Sequence, residues 1–195
     1  MCLHFRALSI FLFLNNNIMQ SSLEENRLRT IRNAIINYGY HDSVSIKYRA
    51  PWFNSHSMHD CSVDLIYSQA VLEHVNDLLG TYKSMYKWLA PNGFMSHQID
   101  FKCHGTAQNW NGHWSYNDFL WTLIKGKRLY LLNREPCSTH IRLQANVGFK
   151  VVDVKKVFGD NRNQSIKRTD LSKRFASLSD EDFITSSAHL VSVRQ

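Results

Sequence analysis

The fold is predicted from residues 62–75, which read S-V-D-L-I-Y-S-Q-A-V-L-E-H-V. The first half of this segment is compact and rich in apolar residues, which predicts a strand over 62–68. Polar side chains follow where the strand ends, and in open parallel sheets ligands bind beyond the carboxyl ends of the strands. We therefore expect these residues to face a ligand; the alternative is an ordinary polar loop between a strand and a helix. The residues are Ser68, Gln69, Glu73 and His74.

Strands and helices alternate along the rest of the chain. Helices are predicted at 23–38, 81–89, 138–146 and near 179–183, and strands at 43–48, 62–68, 93–101, 149–157 and 188–193. Strands that are separated by helices of this kind are typical of βαβ units. The pattern predicts an α/β fold with a mostly parallel sheet, in which the last two strands pair antiparallel.

The composition is that of one globular domain, residues 1–195. Hydrophobic residues make up 44% of the chain and charged residues 20%, which excludes a disordered or fibrous protein. The four cysteines form no C-x-x-C pair, so reduced thiols and a cytoplasmic location are predicted.

The apolar run at 7–14, within an atypical N-terminal segment 1–20, is too short to span a bilayer. It is expected to be a buried strand, with a signal-peptide core as the alternative.

Basic residues outnumber acidic ones, and the net charge is +7. The densest basic run lies between Lys155 and Arg174. Charge runs are usually solvated faces, so nucleic acid is not expected as a partner. The alternative is a basic nucleic-acid-binding module that contacts phosphate groups through this run.

A second group of candidate residues belongs to the strand predicted at 93–101. Period-two alternation places His97 on one face and Asp100 on the other, with Asp100 and His104 near the carboxyl end. An imidazole suits a general base, because its ordinary pKa is about 6.5. Asp100, His104 and His97 are therefore the candidate catalytic residues. The alternatives are a hydrogen-bonded core position for His97 and an exposed loop position for His104.

No metal is predicted, because H-x-x-H-D-C at 56–61 has no second pair with ligand spacing nearby.

The aromatic segment 102–135 is predicted to be an insertion or a lid over the same edge of the sheet. Loops at that edge carry specificity, and Asn109, Asn111 and His113 are candidates for substrate contact. The helix-core spacing of the large side chains favours simple packing for those residues. Arg134 would either bind an acidic group of the substrate or pair with a nearby carboxylate.

The run D-L-I-Y-S-Q-A-V-L-E-H-V, followed by W-L-A-P-N-G-F, closely resembles one region of the class I S-adenosylmethionine-dependent methyltransferases, type 11-like. The region runs from the fourth to the fifth strand of that family, where the usual form is a strand, two polar residues, L-E-H-V, a helix and L-x-P-G-G. Asn92 replaces the first glycine of the last element. Because asparagine tolerates a left-handed backbone, the turn is still expected to form.

The resemblance implies a Rossmann-like fold with helices on both faces of the sheet and S-adenosyl-L-methionine as the cofactor. The methionine end of the cofactor would lie against Ser68, Gln69, Ala70 and His74. The loop that contains Ala50 and Phe53 would approach the adenine. It also implies methyl transfer to a hydroxyl group of a small molecule or glycan.

A glycine-rich G-x-G loop, which follows the first strand in that family, occurs nowhere in the chain. The resemblance therefore implies an N-terminally truncated domain whose sheet is incomplete on the N-terminal side. The alternative functions are a catalytically inactive remnant and a domain completed by a partner chain. Residues 68–71, S-Q-A-V, also differ from the Asn/Asp-Pro-Pro-Tyr/Phe motif of the nucleobase methyltransferases, so a nucleobase acceptor is not expected.

Overall fold

The computed structural model of the chain describes residues 20–21, 23–37, 44–49, 57–159 and 164–195. The chain divides into two compact units, residues 1–50 and 51–195. In the first unit, helix α1 spans Glu25–Ile36 and buries none of its side chains. The predictions for the apolar run at 7–14 and for Ala50 and Phe53 lie outside the described residues.

The second unit contains four strands and the helices that connect them. The elements are β1 (Val63–Gln69), α2 (Leu78–Trp88), β2 (Leu89–Asp100), α3 (Asp118–Lys125), α4 (Cys137–Val147), β3 (Phe149–Phe158), α5 (Asp180–Ile184) and β4 (Thr185–Arg194). Short 3-10 helices lie at Leu72–His74, Gly112–Ser115, Arg168–Asp170 and Lys173–Phe175. In the described part of the chain, no helix has both the length and the apolar character that crossing a membrane requires.

The four strands form one sheet in the order β1-β2-β4-β3. β1 is parallel to β2, and β4 is antiparallel to both of its neighbours. Strands β1, β2 and β3 therefore run in one direction, and the last strand of the chain runs against them. The predicted α/β fold, with a mostly parallel sheet and an antiparallel last strand, is confirmed.

The start of β2 differs from its prediction. The strand begins at Leu89 and runs through the predicted turn, and the pairing with β1 shifts register between Val63 and Leu65. Asn92 adopts the expected left-handed conformation, with φ of 62°. The prediction of a strand at 43–48 is wrong for the described part of this range, because residues 44–49 form no strand.

The core lies on the face of the sheet that α2 and α4 cover. The side chains of Met95 and Ile99 in β2 and Leu190 in β4 are almost completely buried there. The opposite face presents Leu65 of β1 and Phe94 of β2 as exposed residues. One face of the described sheet therefore carries most of its hydrophobic stabilisation.

A buried polar network connects the two covering helices to the sheet. Ser192 Oγ in β4 donates a hydrogen bond of 2.6 Å to Gln144 Oε1 in α4. Gln144 Nε2 donates to Tyr82 Oη in α2 at 3.2 Å, and Tyr82 Oη lies 2.9 Å from His140 Nδ1. Burial raises the pKa of Tyr82, so its hydroxyl stays protonated. Hydrogen-bonded networks of this kind fix the relative position of the elements that share them.

The asymmetry between the two faces predicts a difference in stability between two alanine variants. Ile99→Ala removes a fully buried side chain and should lower the free energy of unfolding by about 2–5 kcal/mol. Leu65→Ala removes a side chain that is 55% exposed, and its effect should stay below about 1 kcal/mol. Urea unfolding monitored by circular dichroism measures both, and equal losses would contradict this assignment of the core.

Candidate functional site

The candidate site lies at the edge where β1 and β2 both end. Gln69 pairs with Gln98 at the end of the parallel ladder, and the Ala70 amide donates a hydrogen bond of 2.9 Å to the Gln98 carbonyl. Ala70 has a φ of 53°, which is costly for a residue that carries a Cβ. Strain of this kind persists where the surrounding structure imposes it, and it is frequent at ligand sites.

The 3-10 helix Leu72–His74, which follows Ala70, is held by Asn133. Asn133 Nδ2 donates to the carbonyls of Leu72 and Val75, at 2.8 Å in both cases. The Asn133 amide donates to the carbonyl of Glu73, also at 2.8 Å. The backbone on both sides of the Glu73 side chain is therefore fixed.

Glu73 is the most unusual residue of the site. It is 3% exposed, and neither carboxyl oxygen has a hydrogen-bond partner among the described residues. Burial, together with the nearby charge of Asp100, raises the pKa of Glu73 to about 7. This carboxyl group therefore exchanges a proton near neutral pH, which the sequence did not indicate.

Asp100 and His104 form a pair beside Glu73, with 3.5 Å between Asp100 Oδ2 and His104 Nε2. The hydrogen bond to Asp100 raises the pKa of His104 above its usual value, against the effect of burial. Burial pushes the pKa of Asp100 upward, but the hydrogen bonds from His104 and the Lys102 amide outweigh it and leave the pKa below its usual value. The two side chains thus form an acid–base pair at the carboxyl end of β2.

Two further imidazoles border the pair. The ring of His74 lies edge-on to His104, with 5.2 Å between the centroids. His113 is almost completely buried, and burial lowers its pKa to about 3, so its ring is neutral. The Nδ1 atoms of His74 and His113 are both buried without a hydrogen-bond partner in the described part of the chain.

Glu73, Asp100 and His113 line a small cleft. The other lining residues are Phe101, Lys102, Leu132, Asn133, Arg134 and Glu135. The enclosed space is about that of a single water molecule. The described cleft therefore does not hold a complete cofactor.

Arg134 supports one wall of the cleft. Its Nη1 donates to the Tyr116 carbonyl at 2.7 Å, and its Nη2 pairs with Asp118 at 2.6 Å. Its guanidinium also stacks on Trp121, with 4.7 Å to the ring centroid. Of the two predictions for Arg134, pairing with a local carboxylate is confirmed.

The structure brings Asp100, His104 and His74 together. Ser68 and His97 lie elsewhere: Ser68 Oγ is 2.8 Å from His97 Nδ1, and His97 is fully buried on the face of β2 opposite to Asp100. Burial also lowers the pKa of His97 to about 4. This is the hydrogen-bonded core position that was the alternative for His97, and it removes His97 from the cleft.

Gln69 and Ala70 are exposed at the end of β1. Asn111, one of the residues considered for substrate contact, is fully buried and accepts a hydrogen bond of 2.9 Å from the Ile166 amide. It therefore has a structural role, whereas His113 from the same group lines the cleft.

Part of the basic run pairs with carboxylates. Lys156 Nζ lies 2.8 Å from Glu181, and Arg168 Nη1 lies 2.9 Å from Asp180. These pairs favour the solvated face over a phosphate-binding patch.

Comparisons with known proteins bear on the family and the fold. The family described as "Methyltransferase domain" matches residues 7–96. A crystal structure of an S-adenosylmethionine-dependent methyltransferase from Mesorhizobium loti is similar at 14% identity, over 88% of this chain and 77% of that chain, with a TM-score of 0.51. One from Methanosarcina mazei is similar at 13% identity, over 87% of this chain and 78% of that chain, also with a TM-score of 0.51. No curated protein sequence matches the chain.

Residues 7–96 therefore resemble the methyltransferase-domain family. The two solved structures show that the chain shares the fold of α/β methyltransferases. The segment that carries the resemblance, from β1 to the end of β2, contributes Glu73 and Asp100 to the cleft.

The buried carboxyl group predicts how stability depends on pH. The pKa of Glu73 is about 7 in the folded chain against 4.5 for an ordinary glutamate. The folded chain therefore retains a proton that the unfolded chain releases between these values, and stability falls as pH rises through this window. Glu73→Gln should remove this part of the fall, which is at most about 3 kcal/mol.

Urea unfolding at several pH values across the window tests this prediction. Asp64→Asn is the control, because this side chain is exposed on β1 and its replacement should leave the slope unchanged. Identical slopes for the native chain and the Glu73 variant would contradict the assigned burial.

Proposed function

We propose that the chain transfers a methyl group from S-adenosyl-L-methionine to a hydroxyl group of a small molecule or glycan. The observation that carries the proposal is the Asp100–His104 pair at the carboxyl end of β2, 3.5 Å apart. Asp100 also lines the cleft, next to Glu73 and His113. The family match over residues 7–96 suggests the reaction, and the pair supplies a group that takes the proton of the acceptor.

The cofactor would approach from the end of β1. Gln69 and Ala70 are exposed there, and the left-handed conformation of Ala70 presents its backbone at the strand end. His74, with its unpartnered Nδ1, lies between this position and His104. These residues fit the methionine end of the cofactor, and Ser68 contributes only its backbone because its hydroxyl faces His97. For the adenine end, the family resemblance suggests Ala50 and Phe53, which lie outside the described residues.

The bound cofactor supplies an electrophilic methyl group on a sulfonium, which leaves as a neutral thioether. With Asp100 accepting from His104 Nε2–H, the Nδ1 lone pair of His104 is the base. His104 removes the proton of the acceptor hydroxyl as the oxygen bonds to the methyl carbon. Asp100 keeps the ring oriented and stabilises the imidazolium that forms.

Glu73 favours a hydroxyl acceptor. Because its pKa is about 7, a large fraction of this carboxyl group is protonated at neutral pH and can donate a hydrogen bond. A hydroxyl oxygen can accept that bond while it gives its own proton to His104. A neutral amine has a single lone pair, which must attack the methyl carbon, so it could not accept this hydrogen bond at the same time.

Cofactor binding is the first test of the proposal. Isothermal titration of the purified chain with S-adenosyl-L-methionine should give a dissociation constant below about 100 μM, equivalent to roughly 5.5 kcal/mol. Weaker binding would contradict the proposal and support a non-catalytic or partner-completed domain.

The role of His104 predicts the effect of His104→Asn on turnover. The backbone of His104 has a φ of 47°, which asparagine tolerates, so the variant should fold normally. Loss of the base should lower kcat for a hydroxyl acceptor by about 100-fold or more. Release of S-adenosylhomocysteine is the measurement, and His59→Asn, at the opposite end of β1, is the matched control. Unchanged turnover in His104→Asn would exclude His104 as the base.

The pH dependence of kcat/KM tests the pairing with Asp100. His104 acts when unprotonated, so the rate should rise with pH through its pKa, which Asp100 holds above 6.5. Asp100→Asn removes the negative charge and should shift the rise in kcat/KM to lower pH. If the rise stays at the same pH, the group that titrates is not His104.

A further inference from the structure

Helix α3 and the loop after it form an exposed apolar surface that the proposed reaction does not use. Phe119 is 75% exposed and Leu123 is 62% exposed, and in the following loop Leu129 is 79% and Tyr130 is 71% exposed. We call these four residues, with the basic residues between them, the α3 surface. Single exposed apolar residues are common, but a group of large ones marks an interaction site.

The geometry of α3 accounts for the exposure. Trp121 is buried against Leu131 and Leu132, with Ile124 packed beside them. Phe119 and Leu123 are four residues apart and therefore share the outward side of the helix. The helix is thus apolar on its outer side as well as its inner side.

The charge of the α3 surface is entirely positive. Residues 119–133 include Lys125, Lys127 and Arg128 and contain no aspartate or glutamate. Asp118, at the start of the helix, pairs with Arg134 at 2.6 Å and with Arg174 at 3.0 Å. The surface therefore combines large apolar side chains with a local positive charge.

We propose that the α3 surface docks on an anionic lipid bilayer. Aromatic and aliphatic side chains next to lysine and arginine are the composition of helices that lie in the membrane interface. The charge is complementary to anionic head groups, which attract basic residues within a short distance. A second copy of the chain is a poorer partner, because two positive surfaces would face each other.

The surface is held in place before binding. Asn117 caps the helix by accepting from the Leu120 amide at 2.8 Å, and Lys125 Nζ donates to Asn76 Oδ1 at 2.7 Å. Arg134 stacks on Trp121 from the inner side. Docking would therefore need little ordering of the chain, which favours binding.

Co-sedimentation of the full chain with lipid vesicles tests the proposal. We expect binding to vesicles of phosphatidylcholine with phosphatidylserine, weaker binding to phosphatidylcholine alone, and a decrease as salt is added. The double variant Phe119→Ser, Leu123→Ser should weaken binding by at least about tenfold, because it removes two apolar side chains from the interface. Lys127→Glu should weaken it by roughly tenfold through charge.

Phe158→Ser and Lys150→Glu are the matched controls, since both residues are exposed on β3. They should bind vesicles like the native chain, and circular dichroism melts would verify that all variants fold. Failure of the native chain to sediment with either vesicle would overturn the proposal. So would equal losses in the β3 controls, or a dimer in sedimentation velocity that the α3 variant abolishes, which would assign the surface to a second copy.

Discussion

Strand β2 is hydrogen-bonded to β1 on one side and to β4 on the other, and its register determines the position of the cleft. Ser68 pairs with His97 and Gln69 with Gln98, so the two parallel strands end together. A slip of one residue would turn His97 outward and Gln98 into the core, because the side chains of a strand alternate between faces. The same register that buries His97 therefore places Asp100 at the open edge.

Several energetic costs are concentrated around the cleft. Glu73 is buried without a hydrogen-bond partner among the described residues, and Ala70, His104 and Arg134 all have left-handed backbones. A buried polar group that lacks a hydrogen bond costs about 1–3 kcal/mol, and each strained residue adds about 1–3 kcal/mol. The hydrogen-bonded network of Tyr82, His140, Gln144 and Ser192 lies on the covered face, so it can hold the fold while the open edge remains strained. This division is the one expected where a site must keep polar groups available for a ligand.

Much of the fold and part of the site could be predicted from the sequence. The local pattern of L-E-H-V and P-N-G predicted the strands, the helix between them and the left-handed Asn92. It also placed Asp100 and His104 at one edge, because alternation and strand direction depend on the sequence alone. The burial of a side chain, in contrast, cannot be predicted from the local sequence. A glutamate is usually exposed, and the backbone that buries Glu73 is held by Asn133, 60 residues further on.

The same limit applies to contacts between distant segments. The bond between Ser68 and His97 joins residues 29 positions apart, and nothing in either strand by itself predicts it. Residues 44–49 show a different failure, since β-rich composition is weak support for a strand when no pairing partner can be identified.

Arg134 gives α3 a fixed position rather than a moving one. Lifting the helix from the cleft would expose Trp121 and Ile124 and break the bonds of Arg134 to Tyr116 and Asp118. The apolar part alone would cost about 1.5–3 kcal/mol for each large side chain, which limits an open form to roughly one molecule in a hundred or fewer. Helix α3 therefore supports Arg134, and Arg134 lines the cleft.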